Sequence, residues 1–521
     1  MHIKNNNDEI ISYQFSLQIS DDLFLTSIIF PHKIGSELTA EDTINRVLEF
    51  YMSSLFDNYK LYNDKVDATI IAHKNIVDFS KIANFVSFDI EDNKKSIPDR
   101  LKNLMLIRNC FVTSKPMLIG DWVNRNFKSI GNLHLRDSLL LDNPQSLRKL
   151  GDSQGFKKLE IGENIENMDI FKSNNINAYI MYALQDANIV VNFLNTMYKH
   201  KLEENEHVPL TIGGESARIA REFLKQEYSL SNDGFDKFFR GLDTYRSKKK
   251  IKQEYPKDLE NIFETFSKLY YGGRNQTFVH GYLKGNFYDI DGSKFYPVSA
   301  STIEFLDFNN INYLDSGDVN DNTFNMDEHE VGYALIDYEY TCDTKFIPNI
   351  TVPTASGFED YGLLFPRKAE NVFATITEIK SAYCLGCKIK IKTGIIFGKL
   401  DTAEDKKYPL EKLFKMLANE RNKYPKNSPE NKFWKLVMNS ITGKFGQGLK
   451  HKKVFSYCEN DMEVIPQSRI TSAPYIVEIT SFGRTVITEV MNCFILENYK
   501  IINVVTDGFL VQSPNNISIT K

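Results

Sequence analysis

The sequence predicts a multidomain protein that mixes the α/β and α+β classes, and three observations carry that expectation. With 521 residues the chain is too long for one ordinary domain, and two or three packed units are its natural division. Strand-like and helix-like periodicities alternate along it, which fits neither an all-helical nor an all-strand fold. A Lys/Arg-rich stretch near 245–257, ending at Pro256, separates the two long patterned regions.

Taken in order, "ISYQFSLQI" (11–19) and "LFLTSIIF" (23–30) alternate as strands do, and "AEDTINRVLEFYMSSLF" (40–56) has helical spacing. "DATIIAH" (67–73) reads as a buried strand, and Ile180–Lys199 as a helix with apolar residues every three or four positions. Gly272 and Gly273 in "KLYYGGRNQTFVHG" mark a tight backbone turn. From 287 onward come short strands, a helical region from about 403 to 445, and a closing hairpin with an Asp507-Gly508 turn. These signals divide the chain at 1–200, 201–286 and 287–521.

Composition narrows the function classes. Hydrophobic residues at 42% and charged residues at 25% describe a soluble globular protein rather than a disordered one. A net charge of -5 excludes a wholly basic coat, so any nucleic-acid surface must be local. "FFRGLDTYRSKKKIKQEYPK" and "GKFGQGLKHKK" interleave cations with aromatics and supply such patches, although a single charge run is more commonly a solvated helix or loop face. Only Cys384 and Cys387 of the six cysteines form a C-x-x-C pair, without a second pair or a His cluster to complete a zinc site, so buried free thiols in a reducing, intracellular setting are expected. Nothing in the sequence is apolar for long enough to span a bilayer.

Three segments carry chemistry. "FYDIDGSKFYPVSAS" (287–301) places Asp289 and Asp291 at a strand end ahead of an aromatic ring. "ENKFWKLVMNSITGKFGQG" (430–448) puts Lys435, Asn439 and Thr442 at i, i+4 and i+7, hence on one helix face, with Gly443 beside them. Arg421 and Lys423 lie just upstream, and a row of cations facing a carboxylate site is what a triphosphate requires. "YKIINVVTDGFLVQ" (499–512) is a hairpin with Asp507 at its tip.

In this order the segments resemble family B DNA polymerases. "DGSKFYPVS" is similar to their D-x-x-S-L-Y-P motif, "KLVMNSITGKFG" to K-x-x-x-N-S-x-Y-G, and "VVTDGF" to x-D-T-D-S. "YYGG" resembles the Y-x-G-G element of the protein-primed branch found in linear plasmids and viruses. The N-terminal half resembles a ribonuclease H-like 3′-5′ exonuclease: Asp78 falls in the second exonuclease motif, Lys158 in a K-x-x-hydrophobic element, and Tyr182 and Asp186 in Y-x-x-x-D. The resemblance therefore implies an exonuclease-type domain followed by a polymerase palm and fingers. Inserts at about 300–400 and 447–480 would contact a priming protein and clamp the template.

It implies roles as well. Asp291 and Asp507 would hold two Mg²⁺ or Mn²⁺ ions. Arg421, Lys423 and Lys435 would bind the triphosphate, while Asn439, Thr442 and Gly443 shape the nucleotide pocket and Tyr296 selects deoxyribose. Tyr270, Gly272, Gly273 and Arg274 would contact DNA. The implied partners are template-primer DNA, dNTPs and a terminal protein, with no membrane. The implied setting is intracellular: a mitochondrial linear plasmid first, a viral or bacterial mobile element second.

Departures from the pattern set the rival expectations. A D-x-E motif should precede Asp78, but "FDIED" (88–92) follows it, so proofreading is not carried over. Val505 stands where the third motif has its first Asp, and Thr442 where the second has Tyr. The sequence stops shortly after the hairpin, which leads us to expect no thumb, or one supplied by a separate chain. A degenerate polymerase that binds nucleic acid or a terminal protein without synthesis is thus the alternative. A nuclease working through Asp78 and Asp186 alone is a third possibility.

Overall fold

A computed structural model of the chain describes residues 2–4, 9–18, 23–32, scattered positions from 38 to 50, 66–79, 104–108, 110–113, 117–118, 131–142, 144–162, 167–198, 208–246, 251–341, 345–354, 362–450, 452–456 and 461–514. They form two compact units. One comprises Met1–Glu215, Glu420–Val437 and Lys452–Ile465; the other comprises Ser216–Asn419, Met438–His451 and Pro466–Lys521. "FDIED" and most of the 40–56 segment lie outside the described residues.

In the first unit β1 (Glu9–Gln18) pairs antiparallel with β2 (Phe24–Ile29). Both strands match the alternation read from sequence. β3 (Val66–Ala72) leads into the short helix α1 (Asn75–Phe79). Beyond the β4–β5 pair (Leu104–Ile107 and Cys110–Thr113), β6 (Gly131–Asp137) runs parallel to β3. Asp137 then joins the segments: its carboxylate accepts from the amides of Lys74, Asn75 and Leu139, so it caps a helix and fixes the entry to α1 together. Helix α2 (Ile176–Tyr198) packs on β1 through a core that holds Ile11, Tyr179, Tyr182 and Ala183.

The second unit is organised on a four-stranded sheet. β7 (Arg274–Thr277) and β8 (Phe287–Asp291) lie at its edges. Helix α3 (Phe295–Ser301) follows β8, and Pro297 sits in its first turn, where a missing amide costs nothing. An inserted sheet comes next, built from β9 (Leu306–Leu314), β10 (Gly332–Tyr340), β11 (Lys368–Thr375) and β12 (Cys387–Lys399), with α4 (Ile376–Cys384) between β11 and β12. A capping box formed by Thr375 and Glu378 starts α4.

The helical region expected over 403–445 is two helices, α5 (Pro409–Asn422) and α6 (Pro429–Phe445), broken where Pro425 interrupts the pattern. Helix α7 (Ala473–Leu496) then leads to the hairpin of β13 (Lys500–Thr506) and β14 (Gly508–Gln512). The central sheet has the order β7-β13-β14-β8. Its inner face contributes Ile290, Val504, Phe509 and Val511 to a core shared with Ile487 and Met491 of α7. Strand alternation leaves Asp289, Asp291 and Val505 on the opposite, solvated face. Among the described residues no helix is long and apolar enough to cross a membrane. Cys110, Cys384, Cys387 and Cys493 are free thiols; Cys110 and Cys387 are buried, whereas Cys384 and Cys493 are exposed, against the expectation of burial.

Candidate active site

The central hairpin brings together the two aspartates that sequence reasoning joined across more than two hundred positions. Asp291 ends β8 directly opposite Gly508, and Gly508 is in turn opposite Val505. The amide of Gly292 donates to the Asp507 carbonyl at 2.9 Å, so the two aspartates belong to neighbouring backbones. A Cβ on Gly508 would stand 3.0 Å from the Ile290 carbonyl and 3.2 Å from Asp291 Oδ1; glycine leaves that space to the carboxylate. Asp291 is exposed and Asp507 half-buried, and neither forms an ion pair with a described Lys or Arg.

The turn differs from the expectation. Gly508 is already paired, so the two loop residues are Thr506 and Asp507, and the left-handed conformation falls on Thr506 (φ 61°) rather than on glycine. A β-branched residue there is strained, and neighbouring packing must hold it. Gly273 does so: a Cβ at that position would lie 2.7 Å from both Thr506 Cγ2 and the Tyr296 hydroxyl. The Gly-Gly turn thus sets how closely the hairpin tip and Tyr296 approach each other. Tyr296 packs edge-on to Phe295 with centroids 5.8 Å apart. Burial raises its phenol pKa, and the neighbouring Asp507 and Tyr270 add to this against the pull of Arg484.

Arg484 on α7 escaped the sequence reading. It is 2% exposed and donates to the carbonyls of Tyr271 (3.2 Å) and Gly272 (3.0 Å), to Thr351 Oγ1 and to Glu378 Oε1 (3.0 Å). One guanidinium therefore grips the Tyr-Tyr-Gly-Gly turn and the capping Glu of α4. The available signal was the one basic residue of a long helical segment rich in apolar residues. The ring of Tyr270 closes over Gly446, and Lys450 lies 5.5 Å from the rings of both Tyr270 and Tyr271.

Two expected site residues are placed otherwise. Arg274 is wholly buried, with bonds to Pro348 O, Thr488 and Gln276 and with Phe365 3.7 Å beneath it; burial pushes its pKa down to about 9. It braces the core and offers nothing to DNA. Thr442 is buried, with its hydroxyl turned back to the Asn439 carbonyl, while Lys435, Asn439 and Gly443 form an exposed row along α6. Of the upstream cations, Arg421 bonds Asn431 at 3.2 Å and Lys423 pairs with Glu420 at 2.6 Å.

The exonuclease-like residues also gather, within the first unit. Lys158 pairs with Asp186 at 2.7 Å and lies 5.0 Å from the Tyr182 ring centroid. Burial raises the Asp186 carboxyl despite Lys158, and Asp78 adds to the rise. For Lys158, burial works downward and the attraction of Asp186 outweighs it, so its pKa is raised. His73 bonds Ser138 at 2.8 Å, and burial lowers its pKa.

The residues fit divalent ions at one place only in part and at the other hardly at all. Asp291 and Asp507 offer hard oxygen donors around the space that Gly508 leaves, a pair that suits Mg²⁺ when a substrate supplies further oxygens. Among the described residues, no group of three or more His, Cys, Asp or Glu side chains could hold a metal.

Solved structures share this architecture of a mixed α/β unit and a sheet that carries an acidic hairpin. The chain is similar to Phi29 DNA polymerase in complex with primer-template DNA and incoming nucleotides (TM-score 0.58, 15% identity, 99% of this chain and 79% of that one). The orthorhombic crystal form of the same polymerase gives a TM-score of 0.57 at 13% identity, covering 99% of this chain and 79% of that one. A curated relative, the primer-independent DNA polymerase PolB of Escherichia coli, is 25% identical over 557 aligned positions, which cover 98% of this chain and 60% of that protein. The chain thus spans well under two thirds of this relative's length. Residues 47–507 match the family described as DNA polymerase type B, organellar and viral, and the chain belongs to that family.

Proposed function

We propose that the chain is a DNA-directed DNA polymerase that extends a DNA or protein primer, in replication of a linear plasmid or viral-type genome. The observation that supports this reading best is the juxtaposition of Asp291 and Asp507 on neighbouring backbones at the tip of the hairpin. In the reaction the primer 3′-oxygen attacks the α-phosphate of a dNTP, a new O–P bond forms, the bond to pyrophosphate breaks, and the hydroxyl proton passes to solvent. Two Mg²⁺ or Mn²⁺ ions, when bound by Asp291 and Asp507, supply charge neutralisation and activation of the attacking oxygen.

The chain's own residues do the rest. Asp291 and Asp507 concentrate negative charge on the solvated face of the sheet. Tyr296, held between Phe295 and Gly273, presents a flat wall against the sugar and excludes a 2′-hydroxyl. Lys435, Arg421 and Lys423 are the cations that the family resemblance offers a triphosphate, and Asn439 and Gly443 are the residues it offers the base. A terminal protein is the proposed priming partner, and the family's organellar and viral description supports an intracellular setting such as a mitochondrial plasmid.

Primer extension with Mg²⁺ or Mn²⁺ tests the proposal, run with a DNA primer and without one, because the Escherichia coli relative is named primer-independent. Incorporation that vanishes in Asp291→Ala and Asp507→Ala supports it. Incorporation unchanged in both variants overturns it. No incorporation by any form favours a polymerase remnant that only binds, the reading suggested by Val505 in the row beside Asp291.

A further inference from the structure

The first unit carries an acidic pair, Asp78 and Asp186, and the face of β1 that bears residues 12, 14, 16 and 18 holds no acid. On β1 residues 12, 14, 16 and 18 share one face by strand alternation. Ser12 Oγ meets the Tyr179 hydroxyl at 2.5 Å, and Ser16 Oγ donates to Asn188 Oδ1 at 2.5 Å. Asn195 donates to Gln18 at 2.7 Å. Four residues of strand rise about 13 Å, and the nine helical residues from 179 to 188 rise about 13.5 Å, so β1 and α2 run in step. Gln14, midway between Ser12 and Ser16, therefore stands level with the Tyr182–Asp186 turn. Its amide donates to Ser12 Oγ at 2.7 Å.

We infer that β1 presents a neutral, hydrogen-bonded seam where a metal-dependent 3′-5′ nuclease needs carboxylates, with Ser12 and Gln14 at the two positions from which an acid would reach Asp78 and Asp186. The Asp78–Asp186 pair, already partly neutralised by Lys158, does not load divalent ions. Hydrolysis of a phosphodiester by two metals requires negative charge among the ligands, which hydroxyl and carboxamide groups do not supply. The seam instead stitches strand to helix. The inference goes beyond the polymerase reading and does not depend on Asp291 or Asp507.

The test uses the full chain with Asp291→Ala and Asp507→Ala, so that bound metal reports only on the first unit. Mn²⁺ titration followed by electron paramagnetic resonance should be the same with and without Asp186→Asn, and a 5′-labelled single strand should stay intact. Gln14→Glu, nearly isosteric, and Ser12→Asp/Gln14→Glu should each create a Mn²⁺ site that Asp186→Asn removes. The double variant should also shorten the strand at least about tenfold faster than its parent. A parental Mn²⁺ site or strand degradation abolished by Asp186→Asn overturns the inference. So does a Gln14→Glu protein with native circular dichroism and no new Mn²⁺ binding. Primer extension by the chain with both palm aspartates intact is scored separately, so the two proposals fail independently.

Discussion

The two acidic clusters differ in whether their charge is already spoken for. Asp186 lies half-buried against Lys158. Asp291 ends an edge strand in the open, next to a glycine that keeps the space clear. The same side chain is therefore held in an ion pair in one unit and left exposed in the other. The difference comes from neighbours: a cation within bonding reach lowers what a carboxylate can still offer a metal.

The most severe test of this contrast compares the clusters in one assay. Asp291→Ala or Asp507→Ala should reduce primer extension by at least about 10³-fold, on the order of 4 kcal/mol, whereas Asp186→Ala should leave the extension rate within about twofold. Equal losses would erase the distinction.

Committed charge should reveal itself in stability. Arg484→Met strands the buried Glu378 carboxylate and two turn carbonyls, and should cost about 3 kcal/mol in denaturant unfolding. Openness should reveal itself in catalysis. Gly273→Ala pushes on Thr506 and Tyr296, and should lower kcat by about 10²-fold with little change in melting temperature.

The smallest effect concerns Asp236, which accepts from Arg221 at 2.8 Å and from Arg240 at 3.0 Å. Burial alone would raise its carboxyl, but the two guanidiniums hold it below the ordinary value of 3.8. A carboxyl depressed on folding stabilises above its unfolded pKa and loses that contribution as pH falls through the folded one. Acid unfolding monitored by circular dichroism should show this loss below about pH 4. Asp236→Asn should flatten it and cost on the order of 2 kcal/mol at neutral pH.

How much of this could be read beforehand depended on whether local pattern or tertiary packing decided each position. The strands 11–19 and 23–30, the helix through Tyr182 and Asp186, and the closing hairpin all follow side-chain periodicity. The meeting of Asp291 with Asp507 was legible from the order of three motifs, which constrained one another where none sufficed alone. The turn was misplaced by one residue because Asp-Gly is a strong local signal, whereas the strain on Thr506 is tolerated only through contact with Gly273.

Helical spacing put Thr442 beside Lys435. The end of α6 is enclosed, however, by the Ser468–Thr471 segment, whose hydroxyls bond the Lys444 and Gln447 carbonyls, and burial there overrides the angle around the helix axis. Arg274 looked like a surface cation by type. A ring and several acceptors make its burial tolerable, and these come from residues far along the chain. The acceptors that make the burial of Arg484 tolerable are likewise distant in sequence.

That guanidinium also bears on how the inserted sheet can be manipulated. Glu378 belongs to the insert, the Tyr271 and Gly272 carbonyls belong to the turn ahead of the hairpin, and a single planar cation satisfies all three. Excising residues 302–398 to obtain a minimal catalytic core would thus leave a desolvated positive charge beneath that turn. The insert is a keystone of its unit, and a trimmed protein would require Arg484 to be replaced in the same step.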